Sequence, residues 1–572
     1  MTNVLPLLPI GIFFAVLLTI GYITSYRANR AAHFKKEYFL GSQNLGGIVL
    51  AMTLVATYGS VSSFISGPGV AWNLGLGWVV FAAPQIITAF LILGMLGKRM
   101  TILAHRTDSL TVIDLLFERF KSRTVSFILA VMMVLFFTAM IVGQFIGGAQ
   151  IFAGLTGIDY SFGLIIFALV TVLYSSGGFR AVAITDAVCA FLMLLGMFIL
   201  AYVIISEGGG IAAIMDTLSK VNIDEATGIS RNLEFNAGGN LSLGLLFSSW
   251  VLVGFATVGL PQSLVRCMGY KSSHDLHKSM IIATVVCGAL MIGMTMLGVL
   301  SRAVITEMPK AGTDAVIPTL LATKMHPIIA GVTILGPLAA TMSTVSSLLI
   351  AAASAIIRDL FKSLHRDGTT ASASKASANA NANAASAAAV AAPNATDNTA
   401  AANAADSTAA TNAADSTAAA KKSASNEEHE LIKDASSSSI SYHEKLIARG
   451  ATMVMGVVAI TLALFPMDIV VWVNMFAFGG LESAFVWPII FGMFWRRFNT
   501  CGLLTSIALS LSVYAIFMIF KLPFFGCHSI VPAMLAGLIG AFIGTYIGSA
   551  ILGQRMSKET HMIFFPHKPM LD

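Results

Sequence analysis

The stretch AATMSTVSSLL, Ala339 to Leu349, sits inside an otherwise apolar run from about 325 to 357. Within seven residues it carries the hydroxyls of Thr341, Ser343, Thr344, Ser346 and Ser347. A run this long and apolar reads as a membrane-crossing helix. In hydrocarbon such hydroxyls meet no water, so they bond back to their own helix, pack against a neighbour or engage a ligand.

The rest of the chain has the same character. Of 572 residues, 56 % are hydrophobic and only 11 % charged, and the mean hydropathy is +0.82, outside the soluble range. Apolar runs of about 20 residues, each able to cross about 30 Å of hydrocarbon, predict thirteen spans. They lie at 4–23, 47–68, 74–97, 125–152, 160–176, 183–205, 243–265, 279–301, 326–356, 447–466, 469–494, 501–520 and 529–553. The ninth is too long for one straight crossing. Pro6 and Pro9, with no basic segment before them, predict that the first run is retained.

Basic residues give the orientation. With an outward N-terminus, most of the 34 Lys and Arg fall in inward loops, among them Arg27, Lys98, Arg99, Arg119, Arg180, Lys271, Arg496 and Arg555. Flipping one span destroys that alternation. The pI near 9.0 thus reflects topology, and nothing suggests nucleic acid. The lipid bilayer is the expected surrounding, an inner cell membrane the expected location. No obligate protein partner is evident.

Five scattered cysteines without metal-ligand spacing predict free thiols. The absence of a Gly-rich phosphate loop with a following Lys argues against an ATP-driven pump, and no nucleophile–base pair suggests an enzyme. Residues 366–441 are almost wholly Ala, Ser, Asn, Thr and Asp, with NAADSTAA at 403–410 and again at 412–419. With only a few large apolar residues to bury, Val390, Leu431, Ile432 and Ile440, they predict a disordered cytoplasmic insert. It divides the chain into 1–365 with spans one to nine, the insert, and 442–572 with spans ten to thirteen and a tail.

A second stretch pairs with the first: AMTLVATYGSVSSFISGPG, Ala51 to Gly69. It mixes Thr53, Thr57, Tyr58, Ser60, Ser62 and Ser63 into an apolar span, with Gly59 midway. Gly among hydroxyls lets a helix unwind and frees carbonyls, tolerable in a bilayer only when buried in protein or engaged. Freed carbonyls and hydroxyls are hard oxygen ligands for a small cation such as Na+. Close packing explains either stretch alone. Two of them favour a shared site.

These stretches, with EYFLGSQNLGGIVLAMTL (37–54), QFIGGAQ (144–150), GGFRAVAITD (177–186), GLPQSLVRC (259–267) and FGGLESAFVWPIIFGMFWRR (478–497), resemble the sodium:solute symporter family. The likeness runs through nearly the whole chain apart from the insert. It implies an all-α membrane protein with a LeuT-like core: two inverted five-helix repeats, spans two to six and seven to eleven, each opening on a broken helix. It implies Na+ as coupling ion, held by the carbonyls of Ala56, Gly59 and Ala340 and the side-chain oxygens of Ser343 and Thr344. Positions 340, 343 and 344 indeed share one helix face. The blocks GLPQSLVRC and 470–509 imply pantothenate, a small anion, as the solute. The alternatives are a monocarboxylate or a proline-like solute, or a sensor role, against which the short tail argues.

The resemblance puts the solute at the midplane against the broken helices. Candidates there are Tyr58, Ser62 and Ser63 in the first, and Trp250, Phe255 and Gln262 in the second. Related chains usually carry His where this one has Gln262. Arg266 follows Gly259-Leu260-Pro261, which predicts a bend, and reads either as a carboxylate ligand or as an anchor at the inner end of its helix. Asp186 reads as part of a cation exit route or as an acid at a helix start. Glu482 falls inside a span, where a carboxyl needs a partner or a neutral form.

Overall fold

A computed structural model describes residues 5–29, 38, 40, 45–223, 228–360, 446, 447, 449–465 and 470–566. By contacts the chain divides into Met1–Leu360 with Arg449–Asp572, and Phe361–Ala448. The first unit is the helical body. The insert expected at 366–441 lies outside the described residues.

Among the described residues the only β pairings are two isolated bridges, Leu45 with Tyr270 and Ile223 with Ser230. Nine helices among the described residues are long and apolar enough to cross a membrane. They are α1 Leu7–Ala28, α4 Leu76–Thr107, α6 Arg123–Thr156, α8 Phe179–Glu207, α11 Ser273–Ser301, α12 Pro327–Ile357, α14 Val470–Phe494, α15 Thr500–Ile519 and α16 Ile530–Ala550. Two further spans are bent pairs: α2 Gly47–Tyr58 with α3 Ser62–Leu74, at 70°, and α9 Leu243–Gly259 with α10 Pro261–Cys267, at 52°. Two shorter apolar helices, α7 Tyr160–Ser175 and α13 Arg449–Ala463, complete a set that matches each of the thirteen expected runs. A short helix, α5 Val112–Phe120, joins α4 to α6.

The breaks fall where the sequence weakens the helix. After Tyr58 the chain turns extended at Gly59 (φ −67°, ψ 119°) and re-enters through a π-helical turn at Ser62–Ser66. In α9 a π-helical turn at Trp250–Gly254 gives way to a 3-10 turn at Phe255–Gly259, and Pro261 then opens α10. Pro tolerates that first helical position because its missing N–H has no partner there anyway. The ninth run passes a one-residue break in helical pattern at Ile334 and ends in a π-helical segment, yet counts as one span, Pro327–Ile357, without a sharp bend.

α12 is the centre of the bundle. Its most apolar window is 89 % buried, against 33 % for α1 and α15, which turn large apolar side chains outward in the manner of lipid-facing helices. The start of α2 is tied to α11: the Gly47 N–H donates to Asp275 Oδ1 (2.9 Å), while Ser272 Oγ accepts from the Asp275 N–H (3.2 Å) as N-cap. Further along, α11 crosses α3 at Gly298, where an added Cβ would lie 2.3 Å from Pro68 O. We expect Gly298→Ala to lower the thermal stability of the purified protein by about 1–3 kcal/mol through overpacking. Unchanged melting would show that α3 is free to shift.

Candidate functional site

The opening stretch supplies the middle of α12, and all five expected cation ligands meet there. Ser343 Oγ lies 2.9 Å from Ala56 O and 3.1 Å from Ala340 O. Thr344 Oγ1 lies 2.9 Å from both Gly59 O and Ala340 O. Ala56, Ala340 and Ser343 are wholly buried and Thr344 nearly so. The cluster holds five oxygens but only two hydroxyl protons. Each hydroxyl has a single proton and two lone pairs, so unshared electron density is left converging on one point. Each can also turn its proton to Ala340 O and present a lone pair inward. Buried neutral oxygens gathered in this way are the hard ligands that suit a small cation.

One turn further along α12 is a second polar cluster, which sequence reasoning had not assembled. Arg266 on α10 is 2 % exposed. Its guanidinium donates to Asp186 Oδ2 (3.0 Å), Ser347 Oγ (2.6 Å), Gln262 O (2.6 Å), Thr53 O (3.2 Å) and Thr53 Oγ1 (3.1 Å). Thr53 Oγ1 donates to Asp186 Oδ2 (2.6 Å), and the hydroxyls of Thr57 and Ser347 lie 3.1 Å apart. Arg266 stands in the last turn of α10, as an anchor would, but it is buried and paired with Asp186, and with Ser347 it borders the small cavity beyond the pair rather than the larger one across the break. Asp186 is no helix-start acid. α8 begins at Phe179 with N-cap Gly178, so Asp186 sits two turns in and fully buried. Along α12 the order is cation cluster, ion pair, then a small cavity lined by Ile350, Ala351, Ser354 and Gln262.

On the opposite side of the break, Tyr58, Ser62 and Ser63 line a larger cavity. Trp78, Phe81, Met291 and Phe478 form its apolar wall, and Ser60, Gln85, Thr295 and Asn474 add polar groups. The Tyr58 hydroxyl donates to Val253 O (3.0 Å), which also accepts from Thr88 Oγ1 (3.2 Å), so the second break's carbonyl is held by the first broken helix. Two amides missed by the sequence reading brace the site. Gln144 Oε1 accepts from the Val61 N–H (2.9 Å) and its Nε2 donates to Asn474 Oδ1 (3.3 Å), while Asn474 Nδ2 donates to Ser62 Oγ. Their signal was available: each is a lone amide in an apolar span, where polar groups pair across helices.

The remaining solute candidates separate from this cavity. Gln262 lines the small cavity on the far side of the ion pair. Trp250 is 53 % and Phe255 36 % exposed, the latter with its ring 6.3 Å from Trp487, and neither lines either cavity. Trp250 opens the π-helical turn and Phe255 the 3-10 turn on either side of Gly254, where the advance per residue departs from that of an α-helix.

Comparison with known proteins agrees with this architecture. The sequence profile of the Sodium:solute symporter family matches residues 38–403 and 415–509. A sodium/pantothenate symporter of Haemophilus influenzae is 33 % identical over 94 % of this chain and 96 % of its own length. Its Escherichia coli counterpart is 33 % identical over 95 % and 97 %. An osmoregulated proline transporter of Bacillus subtilis is more distant, at 24 % over 98 % and 97 %. Among solved structures, a Na+-coupled sialic acid symporter in a substrate-bound, outward-open state superposes with a TM-score of 0.72 at 15 % identity, covering 97 % of this chain and 99 % of that one. The fold is thus LeuT-like, its two inverted repeats opening on the two bent pairs.

Proposed function

Because the chain belongs to the sodium:solute symporter family, we propose that it imports pantothenate with Na+ by alternating access, the ion held by Ala56, Gly59, Ala340, Ser343 and Thr344. The observation that carries this reading is the meeting of α2 and α12 in a buried five-oxygen cluster. It lies beside a cavity with an apolar wall and hydroxyl and amide donors, which suits a small solute bearing hydroxyls, an amide and one carboxylate. No Lys or Arg lines that cavity. The solute's negative charge is met by the N-terminal end of α3, whose dipole favours an anion, and by the ion one turn away. Trp250, Phe255 and Gln262 take no part in this reading.

The Asp186–Arg266 pair then serves as the inner latch. It stands between the ion and the end of the bundle that carries the basic loops, the cytoplasmic side by the distribution of charge. Release toward that side requires Arg266 to let go of Ser347 and Asp186.

Energetics limit the coupling. A potential of 100 mV contributes about 2.3 kcal/mol per charge moved, and a tenfold sodium gradient about 1.4 kcal/mol. One Na+ with one monoanion moves no net charge, leaving the gradient alone and roughly tenfold accumulation. The test is uptake of radiolabelled pantothenate into membrane vesicles with and without an imposed sodium gradient. Accumulation that follows the gradient and resists competition by proline or simple monocarboxylates is expected. Uptake equal in potassium would overturn the coupling, and competition by proline the solute.

A further inference from the structure

Glu482 lies in the middle of α14, fully buried, and among the described residues neither carboxyl oxygen has a hydrogen-bond partner. Among the described residues no charged side chain is near enough to act on it. An ionised carboxylate cannot stay in such a place without a counter-charge or hydrogen bonds. The helix–helix hydrogen bond that would make Glu482 merely structural is missing as well.

Its position gives the group a use. Asn474 and Phe478, eight and four residues earlier on α14, line the cavity beside the break. Val486, four residues later, meets the second break, its backbone N 2.9 Å from where a Cβ on Gly259 would be. Residues four apart share a helix face, so Glu482 sits between the cavity and the second break. The Tyr58 hydroxyl, bonded to Val253 O at that break, is within its Coulombic reach.

We propose that Glu482 is a proton-binding site at the floor of the solute cavity, neutral while the carrier is closed, whose ionisation weakens binding of an anionic solute. The neutral acid keeps one O–H to donate and no charge to repel a carboxylate. Once the cavity opens to water at higher pH, the proton leaves and the resulting carboxylate opposes the solute. This rests on the transport reading above.

The surroundings isolate this titration. Facing Glu482 are the phenols of Tyr58 from α2 and Tyr514 from α15. α9 carries no titratable group, Arg123 is at the exposed start of α6, and Tyr546 of α16 is 71 % exposed. Arg119 of α5 reaches α14 only at Gly492 O (3.0 Å), ten residues on. Beyond Tyr514, with ring centroids 6.5 Å apart, burial holds the His528 imidazole down at about 4, so it stays neutral across the range tested.

Two readouts test the site on the full-length protein. In purified wild type reconstituted into lipid, infrared difference spectra against Glu482→Gln should show the carbonyl stretch of one protonated carboxyl. In vesicles, the wild-type KM for pantothenate should rise about tenfold per pH unit above the transition, as the competent fraction falls. Glu482→Gln should hold the low-pH KM, within a few-fold, at every pH, and Glu482→Asp should restore the dependence. A missing infrared band, a wild-type profile surviving in Glu482→Gln, or loss of uptake in a well-folded Glu482→Gln would each overturn the proposal. The infrared band needs no solute, so a wrong solute and a wrong proton site give different results.

Discussion

Ser343→Ala and Thr344→Ala each remove sodium stimulation of uptake while the protein still reaches the membrane. Each takes away one of the five oxygens proposed to replace the ion's water shell. We expect the half-saturating Na+ concentration to rise about a hundredfold, or about 2.7 kcal/mol. At ordinary sodium levels that reads as loss of coupling. Each change also strips a donor from carbonyls buried in the cluster, Ala56 O beside Ser343 and Gly59 O beside Thr344, and an unsatisfied buried carbonyl destabilises in its own right. Thr344→Ser separates the two effects, because it keeps the oxygen and loses only a methyl; it should stay close to wild type in sodium dependence. Equal sodium dependence in both alanine variants, measured as uptake against external Na+, removes the cluster from the mechanism.

Why that cluster was legible while the solute cavity was only partly so comes down to backbone regularity. Ser343 and Thr344 lie in the regular helical stretch Leu335–Ser354, where spacing alone fixes the face. The spans were legible for a similar reason: hydrocarbon demands about 20 apolar residues per crossing whatever the tertiary contacts. Trp250 and Phe255 came from the resemblance alone, and they lie in turns that depart from the α-helix, where no regular face can be counted from sequence. Arg266 was legible only in its place at the end of α10. Basic residues near span ends usually mark the inner face, and only the packing of α8 against α2 and α10 shows that Asp186 pairs with this one. Gln144 and Asn474 carried a signal, a lone amide in hydrocarbon, but their partners are 330 positions apart and no local pattern joins them.

The Asp186–Arg266 pair gives the second large effect, with opposite consequences for single and double changes. Arg266→Ala leaves the Asp186 carboxylate buried without its counter-charge and takes a donor from Ser347 Oγ, Gln262 O and Thr53 O. Breaking one side of a buried pair costs about 3–5 kcal/mol, so this variant should give poor yield and a lowered melting transition. Asp186→Asn should be milder, because the guanidinium keeps its bonds to the Gln262 and Thr53 carbonyls and to Ser347. Combining Asp186→Asn with Arg266→Gln removes both charges, and replacing a whole buried pair by neutral groups is often nearly neutral for stability. The double variant should therefore recover most of the melting temperature lost by Arg266→Ala, the non-additivity expected of groups in direct contact. What it should not recover is tight coupling. Without the charged latch below the ion cluster, 22Na+ should leak across proteoliposomes in the absence of solute. A stable double variant that carries Na+ only with solute would show that the pair holds the fold together and gates nothing. Full stability in Arg266→Ala alone would show that the carboxylate finds relief elsewhere, and that the pair is not the closed state's fastening.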